Sequence, residues 1–172
     1  RFQKTTELTL MDDLTHLFNT RYLYQSFKNE ISRARRYGYP LAVLFLDLDG
    51  FKAVNDTNGH LIGSTTLKIV AKILTAGVRS IDIVARYGGD EFTLLLPNTD
   101  KEGALIVAER LRKSIEDHAY EKELGVKIKL SASFGVSIFP HHAQDPESLI
   151  QKADQAMYKV KESTKNAVAL SE

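Results

Sequence analysis

Residues 41–49 read LAVLFLDLD, an unbroken apolar run of strand length that ends in acids. A run without alternation leaves no face for water, so it predicts a central strand buried on both sides. Its neighbours must then supply the cover. Leu14 and Leu17, followed by Leu23, Phe27, Ile31 and Ala34, recur at three- and four-residue steps and predict an amphipathic helix broken near Asn19 and ended by RRYGYP. Leu67, Val70, Ala71 and Leu74 mark a helix that Ser64 caps and Gly77 stops. IDIVARY and EFTLLLP predict two strands joined through Gly88-Gly89, whose freedom at positive φ suits a tight hairpin turn. Leu105, Ala108, Leu111 and Ile115 give another helix. VKIKLSASFGVSIF predicts a long strand bent at Gly135, and Leu149, Ala153, Ala156, Met157 and Val160 a closing helix.

The central order is strand, helix, strand, strand, helix, strand. It predicts an α+β fold with a ferredoxin-like βαββαβ core, an antiparallel-rich sheet with helices on one face. The 172 residues suit one domain with a real core. The 23 basic and 22 acidic residues nearly cancel, which gives no reason to expect a nucleic-acid polymer or a membrane surface as partner. The absence of cysteine removes disulfides and thiolate metal sites. No stretch reads as a membrane span or signal peptide. The opening at Arg1 is polar and helix-compatible, so residues 1–12 read as the end of a helical linker from a longer protein and residues 13–172 as the folded domain.

Asp47 lies near the end of the first strand, and Asp90 and Glu91 open the strand after the hairpin. In a ferredoxin-like sheet these strands are neighbours, so the three carboxylates converge at one sheet edge. A single strand-end acid reads as a solvated charge. Three of them, beside a Gly-Gly turn that lets phosphate approach the backbone, read as a Mg²⁺ site shared with substrate phosphates. His141 and His142 are adjacent in a Pro-containing loop with no third ligand and read as surface residues.

RYGGDEF, together with DDLTHLFNTRYL, LDLDGFKAVNDTNGH, RSID, ASFGVSIFP and ADQAMYKVKESTKN in that order, resembles the GGDEF family of diguanylate cyclases over nearly everything after about residue 12. The resemblance implies a nucleotidyl-cyclase, palm-like domain with a GGDEF hairpin. It implies that Asp47, Asp90 and the Leu48 carbonyl bind Mg²⁺, with Mn²⁺ as an alternative. Glu91 completes the acidic centre, and Asp90 doubles as proton acceptor. Gly50, Phe51 and Lys52 would hold the terminal phosphates together with Lys161 and Lys165, the last standing where many relatives have Arg. Arg86 would stabilise charge on the transferring phosphate. The implied reaction joins two nucleotides with loss of pyrophosphate, on a homodimer, in the cytoplasm where nucleotide substrates are found; a membrane tether elsewhere in a longer protein stays open.

In RSID, Arg79 and Asp82 match the family's product-inhibition site, with Arg110 as a secondary contact; apart from the resemblance they would pass as an ordinary surface ion pair. Asn55, His60 and Ser64 match positions facing the base. The family's usual residue at 64 is Asp, an acceptor-only group suited to guanine N1–H and its exocyclic amine. Serine both donates and accepts, so it tolerates adenine. The sequence thus resembles the promiscuous subgroup that uses GTP and ATP and makes 3′,3′-cyclic GMP-AMP beside cyclic di-GMP. The alternatives are a GTP-only diguanylate cyclase and, more remotely, a catalytically degenerate cyclic di-GMP receptor.

Overall fold

The computed structural model describes residues 10–172, so most of the expected linker at 1–12 lies outside the described residues. The elements are α1 (Thr20–Tyr37), β1 (Leu41–Asp49), α2 (Phe51–Asn58), α3 (His60–Ala76), β2 (Ile83–Arg86), β3 (Glu91–Pro97), α4 (Lys101–Asp117), α5 (Tyr120–Leu124), β4 (Ser131–Phe139), α6 (Pro146–Glu162) and β5 (Val168–Leu170). One sheet runs β2-β3-β1-β4-β5, antiparallel throughout except for the β4–β5 pair. The first four of these strands give the ferredoxin-like order expected from the sequence.

Helices cover both faces of the sheet, not one. Ala42, Leu44, Leu46 and Leu48 of β1 join a cluster with Val54, Leu67, Val70, Leu74, Ala104 and Leu111 from α2, α3 and α4. Leu41, Val43 and Phe45 join Leu23, Phe27, Ile31, Leu149, Ala153 and Met157 from α1 and α6. The two-sided burial of the apolar run was therefore a better guide than the fold analogy. A strand that is apolar at every position needs cover on both sides.

Four further expectations are corrected. No helix includes Leu14 and Leu17: the Asp12 carboxylate accepts hydrogen bonds from the Thr15 amide and hydroxyl, and Phe18 forms a bridge beside Ala85 of β2. Asn19 instead caps α1 by accepting from the Tyr22 amide at 3.1 Å. Ser64 does not cap a helix, because α3 begins at His60 and Ser64 lies inside it. Residues 126–130 are not strand, because Asp49 opposite Ser131 is the last pair and the chain leaves β1 at Gly50, where φ is 83°. Gly88 and Gly89 are not among the residues at positive φ.

Candidate active site

Side chains alternate along β1, so Asp47 and Asp49 continue the face that carries Val43 and Phe45 and look toward α6. Glu91 is the antiparallel partner of Asp47 and shares that face. From α6 comes Lys161, whose Nζ donates to Asp49 Oδ1 at 2.7 Å and to the Leu48 carbonyl at 3.0 Å, and lies 3.8 Å from Asp47. Asp49 also accepts from the Ser131 and Ser133 hydroxyls, both at 2.8 Å, and from the Asn166 amide at 3.0 Å. Burial opposes its charge, but the hydrogen bonds from Lys161, Ser131 and Ser133 outweigh burial and hold the carboxyl below its ordinary range. Asp47 behaves oppositely. Burial first, then the neighbouring Asp90 charge, push it up to about 7 against the pull of Lys161. Glu91 is also raised, by burial and then by Asp154 and Asp90.

Asp47, Asp90 and Glu91 do meet at this end of the sheet, where Asp90 and Glu91 both act on Asp47 and Asp90 acts on Glu91, although among the described residues no three acidic or histidine side chains form a ready-made cation cage. What the structure has is an excess of negative charge around Asp47 and Asp90, next to a backbone carbonyl. Two hard carboxylates and a carbonyl fit Mg²⁺, which fills its remaining positions with water and substrate phosphate oxygens.

Asp90 connects this end of the sheet to a second space. Its carbonyl accepts from the Leu48 amide at 3.2 Å, and its side chain lines a cleft of about 360 Å³ with Phe51, Lys52 and Asn55 of α2, His60 and Ser64 of α3, and Arg86. The structure thus brings together most of the residues expected to meet nucleotide. Lys52 reaches along α2 to Asp56 at 2.9 Å, with its side chain 89% exposed. Thr65 and Thr66 return their hydroxyls to the carbonyls of Leu61 and Ile62; the Ser64 hydroxyl has no such partner among the described residues. Gly50 and Lys165 do not line this cleft. They face another, of about 660 Å³, beside Lys127 and Lys129.

Arg86 organises the Gly-Gly turn. Its Nε donates to the Gly88 carbonyl at 3.1 Å, its Nη2 to the Gly89 carbonyl at 2.8 Å, and its Nη1 to Asp12 at 3.2 Å. With those contacts made, the guanidinium acts on the turn rather than standing free for phosphate. Asp12, Asp49 and Asp154 carried no weight in the sequence reasoning. Spacing holds a signal for two of them: Asp49 shares a strand face with Asp47, and Asp154 lies seven residues before Lys161 on one stripe of α6.

On the far side, Arg79, Asp82 and Arg110 line one cleft of about 790 Å³. Asp82, with its side chain 3% exposed, accepts from the Arg79 backbone amide at 2.8 Å and from its Nη2 at 2.9 Å. Arg79 also donates to the Pro97 carbonyl, and Arg110 to the Gly77 carbonyl, each at 2.7 Å. The carboxylate of this pair is buried while the Arg79 side chain stays half exposed.

A family profile described as "Diguanylate cyclase, GGDEF domain" matches residues 9–167. Diguanylate cyclase DosC of Escherichia coli K12 is 44% identical over 160 residues, covering 93% of this chain and 35% of that protein. Response regulator PleD of Caulobacter vibrioides is 38% identical over 163 residues, covering 94% of this chain and 36% of that protein. The chain thus spans about a third of the length of these curated relatives. Among solved structures, the GGDEF domain of TpbB (YfiN) from Pseudomonas aeruginosa superposes with a TM-score of 0.89 at 34% identity, covering 94% of each chain. The GGDEF domain of DgcB from Caulobacter crescentus, solved in complex with c-di-GMP, gives 0.84 at 25% identity, covering 95% of this chain and 93% of that one. Among the described residues no helix is long and apolar enough to cross a membrane.

Proposed function

The chain belongs to the GGDEF-domain diguanylate cyclase family, and on that premise we propose that it joins two nucleoside triphosphates into a cyclic dinucleotide, releasing two pyrophosphates, and that Ser64 admits adenine as well as guanine. In each half-reaction a 3′-hydroxyl oxygen attacks the α-phosphorus of the other nucleotide, its proton leaves to a carboxylate, and pyrophosphate departs. Asp90 is suited to accept that proton because it touches both the acidic strand ends and the cleft. Asp47, Asp90 and the Leu48 carbonyl would hold Mg²⁺, with Mn²⁺ the alternative. The cation supplies positive charge to the triphosphate when bound. Lys161 and Lys52 add cationic charge, and Arg86 holds the turn that approaches the phosphates. One domain has one such cleft, so ring closure needs two copies facing each other. The cleft of Arg79, Asp82 and Arg110 is the proposed site of product inhibition.

The mixed-base reading rests on the Ser64 hydroxyl, which lies in the cleft with Asn55 and His60 and is not tied back to the helix. A carboxylate there accepts from guanine and repels adenine N1; a hydroxyl can serve either base. Incubation with Mg²⁺ and equal GTP and ATP, followed by mass identification, is expected to yield cyclic GMP-AMP beside cyclic di-GMP. Ser64→Asp should reduce the mixed product roughly ten- to a hundredfold, the value of exchanging a neutral for a charged hydrogen bond. Cyclic di-GMP as the sole product of both chains would establish the GTP-only reading. No cyclic product from an enforced dimer would establish the receptor.

A further inference from the structure

Asn55 has no hydrogen bond to its side-chain amide among the described residues, although it lines the cleft between α2 and α3. Something other than a polar partner must therefore set its orientation. Gly63 is buried in α3, on the stripe that carries His60, Ser64 and Leu67 into the same cleft. A Cβ built on Gly63 would overlap Asn55 Oδ1 and come within 2.8 Å of its Cγ and 3.4 Å of its Nδ2, so the three atoms nearest to it all belong to the Asn55 amide. The backbone at Gly63 is helical rather than left-handed, so conformation does not demand glycine there. Mid-helix glycine is in fact unfavourable. What glycine leaves in return is space for the Asn55 amide.

We infer that Gly63 is a positioning residue for purine recognition: the absence of its Cβ leaves the pocket floor on which the Asn55 amide lies, turned toward the base. This rests on the reading above in which Asn55 contacts the base. The overlap falls on the end of a rotatable side chain, so alanine at 63 turns the Asn55 amide away without disturbing the fold. Stability and recognition should then move in opposite directions.

The test uses the 172-residue chain as wild type, Gly63→Ala, Asn55→Ala and the double variant. Two probes are titrated with Mg²⁺ by calorimetry: 3′-deoxy-GTP, which cannot attack, and inorganic triphosphate, which has no base. Gly63→Ala is expected to bind 3′-deoxy-GTP about three- to tenfold more weakly, the worth of one neutral hydrogen bond. It should bind triphosphate unchanged and melt roughly 2–4 °C higher, because alanine is the better helix former. The double variant should match Asn55→Ala. Wild-type affinity in Gly63→Ala alongside weakened binding in Asn55→Ala overturns the inference and leaves the base-contact reading standing. Wild-type affinity in Asn55→Ala overturns both. An equal loss from Gly63→Ala with Asn55 already removed, or any loss of triphosphate binding, also overturns the inference, because the methyl would then act elsewhere.

Discussion

Asp47 and Asp49 lie two residues apart on one face of β1, yet their surroundings drive their charges in opposite directions. Lys161, two serine hydroxyls and a backbone amide surround Asp49 with donors, whereas Asp47 has Asp90 and Glu91 nearby and only a longer contact to Lys161. Asp49 is thus the structural member: it joins β1, β4, α6 and the segment at Asn166. Asp49→Ala removes the shortest contact of Lys161 and the acceptor of the Ser131 and Ser133 hydroxyls and the Asn166 amide, and is expected to lower stability by about 1–3 kcal/mol, the range for leaving buried donors without their acceptor. The urea midpoint would drop accordingly with no change in slope. A loss below about 1 kcal/mol would mean that solvent replaces Asp49 at little cost. Asp47 has the opposite character, an acid crowded by acids, which is the electrostatic state that a bound cation relieves.

At the level of elements, the β4–α6 contact is set by backbone approach. A Cβ at Gly135 would run into the Ala153 carbonyl and the Met157 amide, both helix backbone. Neither can rotate away, so the same substitution that Asn55 absorbs at Gly63 cannot be absorbed here. Gly135→Ala should cost roughly 3 kcal/mol or more and lower Tm by several degrees; an unaltered Tm would show that α6 slides freely. The turn between β4 and α6 also carries a pH signature. His142 is not the plain surface residue expected, because its Nδ1 accepts from the Ile138 amide at 2.8 Å and so must be unprotonated. Burial, then His141, Lys152 and Lys101, hold its pKa below the ordinary 6.5. The unfolded chain therefore binds the proton more readily. His142 contributes fully above pH 6.5, and stability falls as pH drops through the lowered folded value. Urea midpoints measured downward from pH 7.5 should decline below about 6.5, less steeply in His142→Asn. Equal slopes for both chains would remove His142 from the account.

For the whole molecule, the two-sided sheet separates two clefts. One lies at the acidic strand ends between α2, α3 and the hairpin; the other lies at the opposite end of β3, where Arg79 meets the Pro97 carbonyl. The cleft proposed for nucleotide and the cleft proposed for product share no lining residue. One catalytic cleft per chain also fixes the kinetics of the proposed cyclisation. Turnover per chain should fall in proportion to chain concentration below the dimer Kd, while 3′-deoxy-GTP bound per chain stays constant. A turnover per chain independent of dilution, with a monomer in solution, would refute the two-copy requirement.

The sequence alone determined the order of the four core strands, the central buried strand, the hairpin and the identity of most residues that meet in the cleft, but not the short parallel strand β5. It could do so because alternation, helical period and turn residues are local properties of the chain. It misjudged the segment before Asn19, where the Asp12 turn and the bridge to β2 override helical spacing. It also misjudged the glycines: Gly88-Gly89 promised positive φ and did not use it, while Gly63 and Gly135 proved to be sites of close approach. The opposite charge states of Asp47 and Asp49 and the tie between Arg86 and Asp12 were decided only by tertiary structure. Each depends on which groups from distant segments arrive within about 3 Å, the reach of a hydrogen bond, and no spacing along one segment encodes that.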